Sequence, residues 1–266
     1  ASNGTGGSGI RSNGNGTLTI KGGKIEQATG GDSEKYGGSG IYSSSKLTIS
    51  DSATIGNAQG GKGKGKSGGS GIYSYGDLTI SGGKIQKATG GASTDGNGGS
   101  GIFSGSNLTI SGGTIETAQG GKGNASGGMG IRSGGTLTIS DNATITNATG
   151  GASTDGYAGD GIHSDGKLTI SGGTIGTAQG GNGTISGGSG ILGNTMEILA
   201  GTIQKAIGGN STGTGENDTG GDGISAREFN ISGGKIQQAT GGSSTNGSGG
   251  SGIYSSTLTI SGNATI

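Results

Sequence analysis

The chain has 266 residues, of which 74 are glycine, and it contains no proline, cysteine or tryptophan. Its 16 basic and 16 acidic residues cancel, so electrostatics gives no reason to expect a nucleic acid or an anionic membrane as a partner. The composition excludes collagen, which needs proline and a Gly-X-Y period, and a disulfide scaffold, and no apolar run approaches the ~18–20 residues of a membrane-spanning helix.

A unit of about 30 residues recurs nine times, and each copy begins at an isoleucine that follows glycine. A Leu-Thr-Ile segment or a variant of it comes next, and an Ile-x-x-Ala segment follows in the first eight copies. A disordered chain has no reason to keep its apolar residues in register, so the repeat predicts a solenoid whose copies share one core. The nine leading isoleucines are Ile10, Ile41, Ile72, Ile102, Ile131, Ile162, Ile191, Ile224 and Ile253.

Three short strands are expected in each copy, as the fourth copy illustrates. The first strand is Ile-x-Ser, here residues 102–104. Residues 108–110 alternate in polarity, which is typical of a half-buried strand, and 115–118 carries the isoleucine and alanine of the third strand. The Gly-Gly pairs at 112–113 and 120–121 are expected to turn corners, because glycine takes positive φ without steric cost. The isoleucines, the leucine, the alanine and the serine of Ile-x-Ser should point inwards.

These elements predict an all-β fold, a single-stranded parallel β-helix or β-solenoid, right-handed and triangular, with nine turns. Turns ~4.8 Å apart would make a rod of roughly 43 Å. Residues 1–266 are expected to form one continuous domain. Neither end shows a helix, a proline or a charged strand that would block an exposed edge, so we expect an uncapped rod, either a segment of a longer protein or a filament subunit.

A calcium site is one interpretation of three aspartates. Asp160 and Asp222 replace the serine that precedes most Gly-Ile steps, and Asp165 lies nearby in sequence. Calcium prefers several oxygen ligands, which makes these carboxylates its candidate ligands. Aspartate also favours tight turns, so turn chemistry alone accounts for the same residues.

His163 is the only histidine, and it falls in a column that should face outwards, beside Arg132. Catalysis needs a base, an orienting partner and a pocket, and the convex face of a rod offers no pocket. We therefore expect no catalytic residue and no enzymatic activity.

Tyr42, Tyr73 and Phe103 occupy the same outward column on three consecutive turns. Such a row of aromatic rings can bind a sugar or another partner. The rings can equally stabilise the sheet by stacking on one another, which requires no ligand. Both interpretations are carried forward.

The segments LTISGGTI (108–115) and GDGIHSDGKLTISGG (159–173) resemble Gly-rich surface proteins of Gram-positive bacteria with ISGGTI-type repeats. They are also similar to the calcium-dependent, polygalacturonate-binding β-helix family. The first resemblance implies an extracellular or cell-surface location. The second implies that the aspartate of Asp-Gly-Ile helps to hold calcium, and only Asp160 and Asp222 match it here.

The sequence thus predicts an extracellular structural β-solenoid, a rod, stalk or head-to-tail filament of a surface fibre or adhesin. Its partner would be itself, head to tail or by continuation of the same chain, with no nucleic acid and no membrane insertion. No cofactor motif is present, and calcium is the one candidate ion. The alternative function is calcium-assisted binding of a pectic polysaccharide, and an ice-binding or polysaccharide-lyase role ranks third.

Overall fold

The computed structural model describes residues 4–266, and these residues confirm the predicted all-β solenoid. They form one 19-stranded sheet without helices, and neighbouring strands pair in parallel. No helix long and apolar enough to cross a membrane occurs in this part of the chain.

The strands are short in the first rungs and longer towards the middle of the chain. They are β1 (Ile10–Ser12), β2 (Leu18–Lys21), β3 (Lys24–Thr29), β4 (Ile41–Ser43), β5 (Leu47–Ser50), β6 (Thr54–Gln59), β7 (Ile72–Ser74), β8 (Leu78–Thr89), β9 (Ile102–Ser104), β10 (Leu108–Gln119), β11 (Ile131–Ser133), β12 (Leu137–Ile139), β13 (Thr144–Thr149), β14 (Ile162–Gln179), β15 (Ile191–Ile207), β16 (Ile224–Ile231), β17 (Lys235–Ile236), β18 (Ala239–Thr240) and β19 (Ile253–Ile260).

Each circuit of the chain is called a rung. The rungs are numbered 1 to 9, and each begins two residues before the isoleucine of its Gly-Ile step, so that Asp160 begins rung 6 and Ser189 begins rung 7. The nine isoleucines pair one above the next from Ile10 to Ile253, so eight steps join nine rungs and the chain completes about eight full turns. The predicted register is confirmed on the other sides as well, where Leu108 pairs with Leu137 and Ile115 pairs with Ile145.

The sequence predicted that the Ser-Gly-Gly corner separates the second and third strands, but in several rungs the strand continues through it. In rungs 3 and 4 the second and third strands merge into the 12-residue strands β8 and β10, with register shifts at the corner and Gly113 at a φ of 74°. In rungs 2 and 5 an aspartate takes this corner at positive φ, Asp51 at 54° and Asp141 at 50°, and the strand ends there. Glycine takes positive φ at less steric cost than a residue with a side chain. It does not by itself keep the strand continuous, since β2 and β16 also end at the glycine corners of rungs 1 and 8.

The core is a set of inward columns, as predicted. Ile102, Leu108, Ile110, Ile115 and Ala118 of rung 4 are all fully buried. The serine of Ile-x-Ser is buried with them, and in rungs 3 to 6 its hydroxyl lies within hydrogen-bonding distance of two carbonyl oxygens that share its one proton. In rung 5, for example, Ser133 donates to the carbonyl of Thr136 in its own rung and to that of Ser106 in rung 4. A buried hydroxyl of this kind costs little because it is fully hydrogen-bonded.

The second Gly-Gly pair has a role that the sequence did not predict. Gly120 and Gly121 do not have positive φ, so they do not act as left-handed corners. Instead their backbone lies against the backbone of the Gly-rich segment, and a Cβ on Gly120 would collide with the carbonyl oxygen of Gly128. These glycines are required by the close approach of two chain segments.

A chain of backbone hydrogen bonds runs through these glycines along the whole rod. Each glycine donates its N–H to the carbonyl of the one before it, over 2.7–3.0 Å, alternately within a rung and between rungs. We call this set the glycine spine. Its seventeen members are Gly7, Gly31, Gly38, Gly61, Gly69, Gly91, Gly99, Gly121, Gly128, Gly151, Gly159, Gly181, Gly188, Gly209, Gly221, Gly242 and Gly250.

The Gly-rich segments are therefore part of the ladder, although the sequence predicted them as loops. Ser93 bridges to Gly63 and Gly123 bridges to Ser153, and a second row of bridges passes through Asn97 and Ser126. The stack thus extends around the perimeter of the rod, and the three strands of each rung account for only part of it.

Candidate functional site

The aromatic candidate residues and His163 lie on one outward column that runs the length of the rod. The residue after each leading isoleucine faces away from the core, because side chains alternate along a strand. These residues pair in register from rung to rung, so each side chain lies next to the corresponding side chains of the adjacent rungs. In rung order they are Arg11, Tyr42, Tyr73, Phe103, Arg132, His163, Leu192, Ser225 and Tyr254.

The aromatic part of the column is a continuous stack with a cation at each end. The rings of Tyr42 and Tyr73 are stacked, with centroids 5.3 Å apart and planes at 14°, and Phe103 follows at 5.0 Å with a tilt of 50°. Arg11 lies over the Tyr42 ring at 5.0 Å, and Arg132 lies over the Phe103 ring at 5.5 Å. Cations over ring faces and offset ring pairs are each favourable.

This packing favours the structural interpretation of the row. Both faces of the Tyr73 ring are covered by neighbouring rings, and Tyr42 and Phe103 each have one face against a ring and one against a guanidinium. Burial raises the pKa of the Tyr73 phenol, and the Tyr42 and Tyr75 phenols raise it further. A sugar ring that stacked on this row would have to displace one of these contacts.

A groove of about 520 Å³ runs beside the first rungs of the row. The edges of Tyr42 and Tyr73 form one wall, and Ser39 and Ser70 lie along it. The groove offers hydroxyl groups and aromatic edges to a ligand, so carbohydrate binding by this face stays a prediction.

The column continues past Arg132 into a cluster of four charged side chains. His163 contacts two carboxylates, with Nδ1 2.7 Å from Asp160 Oδ2 and Nε2 2.7 Å from Asp165 Oδ1. The other Asp165 oxygen accepts a hydrogen bond of 2.9 Å from Arg132. Asp160 is the only charged residue among the buried residues of the described chain, with 7% of its surface exposed.

Opposing effects determine the ionisation of this cluster. Burial lowers the pKa of His163, but the hydrogen bonds and charges of Asp160 and Asp165 outweigh burial and leave that pKa raised above its usual 6.5. Burial raises the pKa of Asp165, but the guanidinium of Arg132 and the imidazole of His163 outweigh it and leave that pKa lowered. Both shifts favour a protonated His163 beside an ionised Asp165.

The structure brings Asp160 and Asp165 together around His163, and it places Asp222 two rungs from Asp160. Both Asp160 and Asp222 accept a hydrogen bond from a backbone amide of the next rung, from Ser189 at 2.7 Å and Ser251 at 2.8 Å. Within residues 4–266 no group of three or more His, Cys, Asp or Glu side chains is placed to hold a metal ion. The geometry supports the turn-type role of these aspartates, and calcium binding stays a prediction.

The sequence placed Arg132 beside His163, but it did not predict that Arg11 and Arg132 contact the aromatic rings. Arg11 and Arg132 close the ends of the aromatic stack, and Arg132 also holds Asp165. The repeat gives their positions in the column, and this is the signal from which the contacts could have been suspected. The contacts themselves depend on side-chain directions that a repeat does not report.

Comparison with known proteins adds no functional assignment. No family model matches the chain, and neither a curated protein nor a solved structure does.

Proposed function

We propose that the chain is a structural rod of an extracellular or cell-surface protein, a stalk or fibre element whose partner is more of itself. The observation that carries the proposal is the continuous ladder. Strands, corners and Gly-rich segments pair with their counterparts on the next rung. The main core columns stay apolar throughout, with Met196 and Phe229 replacing leucine in rungs 7 and 8. Such a stack is stabilised by its neighbours and is suited to an extended, regular shape.

The side chains of the last rung support extension of the rod. Leu258 and Ile260 of rung 9 are 45% and 54% exposed, whereas Leu137 and Ile139 of the same two columns are fully buried in rung 5. A further rung, from the same chain or from a second copy, would cover this apolar edge. Stacking of copies in one direction would produce an open filament.

Sedimentation velocity and electron microscopy over a range of concentrations test extension by copies. We expect wild-type protein to form longer particles as concentration rises, and Ile260→Lys to stay monomeric because a charge would face the added rung. Thr259→Lys is the matched control, since Thr259 is the outward neighbour on the same strand and its substitution should not change assembly. Wild-type particles of one fixed length at every concentration would contradict assembly by copies.

Carbohydrate binding is the second candidate function, favoured by the groove beside Tyr42 and Tyr73. Pull-down on pectic polysaccharides, first with calcium and then with a chelator, tests it. Binding that needs calcium and is reduced by Tyr73→Ser would support it. Absence of binding under both conditions would remove this candidate and leave the structural proposal unaffected.

A further inference from the structure

The cluster around His163 links three consecutive rungs through side chains. Arg132 belongs to rung 5, Asp160, His163 and Asp165 belong to rung 6, and the Ser189 amide that donates to Asp160 leads into rung 7. Elsewhere the rungs are joined mainly by backbone hydrogen bonds and apolar packing.

Two ionised carboxylates at the imidazole are both satisfied when the ring carries two protons. Each ring nitrogen lies 2.7 Å from a carboxylate oxygen, and an ionised carboxylate only accepts hydrogen bonds. A neutral imidazole carries one N–H and can satisfy one carboxylate, so its second nitrogen would present a lone pair to the other. The imidazolium satisfies both contacts, because it donates at each ring nitrogen.

We propose that His163 is a pH-operated latch that ties rungs 5, 6 and 7 together when protonated and releases them when it loses its proton. Without that proton the buried Asp160 has no cation beside it, and a buried unpaired charge is strongly unfavourable. One of the two carboxylates must then leave the ring. Asp165 is the one free to move, because its side chain is 35% exposed and that of Asp160 is 10% exposed.

The groups that face the imidazole define the pH range of the latch. Arg132 approaches from rung 5 and is paired with Asp165. Leu192 and Asn194 of rung 7 carry no charge, and a further cation, Arg227, lines the same shallow notch from rung 8. On its own rung, Lys167 is paired with Glu197 at 2.7 Å.

Stability from the latch depends on pH with a definite sign. The pKa of His163 is raised in the folded chain, so its contribution is fully present below the usual value of 6.5 and is lost as pH rises through the raised value. The pKa of Asp165 is lowered, so its contribution is present above 3.8 and is lost as pH falls through the lowered value. The latch is closed between these two limits.

Rung 8 contains a natural control for this experiment. Asp222 accepts the Ser251 amide as Asp160 accepts the Ser189 amide, but Ser225 stands where rung 6 has His163. Hydrogen exchange of these two amides can be followed by NMR against pH, in chelator so that no metal ion contributes. As the only histidine, His163 gives an unambiguous ring titration in the same samples.

We expect the His163 ring to titrate above 6.5. The protection of the Ser189 amide against exchange should fall across that titration by about tenfold for each unit by which the pKa is raised. The protection of the Ser251 amide should stay unchanged. His163→Ser, which copies rung 8, should abolish the difference between the two amides. A ring titration at or below 6.5, or equal pH dependence of both amides in the wild type, would overturn the proposal.

Transplanting the latch provides an independent test by gain of function. Ser225→His together with Arg227→Asp places a histidine and a second aspartate at the rung 8 positions that correspond to His163 and Asp165. We expect a second histidine with a raised pKa and a new pH dependence of the Ser251 amide. A folded double variant whose Ser251 amide remains insensitive to pH would count against the mechanism.

Discussion

A Cβ atom on Gly99 would lie well inside van der Waals contact of the carbonyl oxygen of Gly69, one rung earlier. Both glycines belong to the glycine spine, and both are buried. The spine therefore depends on the absence of side chains at these positions, and its hydrogen bonds align only because the two backbone segments approach so closely.

Gly99→Ala should destabilise the rod by about 1–3 kcal/mol, the usual cost of forcing an extra methyl group into a packed interior. Urea unfolding followed by circular dichroism measures this. Gly16→Ala is the matched control, because no atom lies within 4 Å of a Cβ added there. Equal stability of the two variants would show that the close approach of the spine segments is not needed.

Ile110→Ala should cost about 2–5 kcal/mol, the range for truncating a fully buried aliphatic side chain. Ile110 is fully buried in rung 4, and Ile260 occupies the same column in rung 9 with 54% of its surface exposed. Ile260→Ala should therefore cost much less. The comparison is made by thermal unfolding at a concentration where the protein is monomeric, and similar losses at both positions would contradict the structure.

Ser133→Ala should cost about 0.5–1.5 kcal/mol, the net worth of a typical hydrogen bond, because the carbonyls of Thr136 and Ser106 lose their hydroxyl donor but each keeps a backbone N–H donor. Ser106→Ala provides the comparison, since that hydroxyl makes no hydrogen bond within residues 4–266 and the accepting carbonyl of Ser106 is kept. Denaturant midpoints of the two variants give the difference. A larger loss for Ser106→Ala would indicate that the inward serine does not support the rung.

Tyr73→Leu should cost about 1–3 kcal/mol, since each aromatic pair contributes about 0.5–1.5 kcal/mol beyond its buried area and Tyr73 forms two such pairs. Leucine keeps an apolar side chain and already occupies the same column as Leu192. Tyr75→Leu tests the general effect of losing a tyrosine, because Tyr75 is 65% exposed. Thermal unfolding of both variants measures the difference. If the stack stabilises the rod, Tyr73→Leu should lower the stability and Tyr75→Leu should not.

The period of the sequence was enough to predict the architecture. A strand shifted by one residue would expose its entire apolar set, so the recurring Ile and Leu positions left one register for the stack, and Ile102 pairs with Ile131 as that register requires. The same alternation placed Tyr42, Tyr73, Phe103 and His163 on one outward column. Within this repeat, a local pattern of side chains determines which residues lie inside, outside and above one another.

Tertiary structure alone decided the role of the second glycine pair and the state of the histidine. Glycine has no side chain, so its place in a sequence does not distinguish a turn from a close backbone approach, and the contact of Gly99 with Gly69 exists only once two distant segments are packed. For His163, the repeat did show which residues lie near it, but it did not show how they contact the ring. The two 2.7 Å contacts that hold its proton depend on the orientation of three side chains, because hydrogen bonding is directional and the period of a repeat is not.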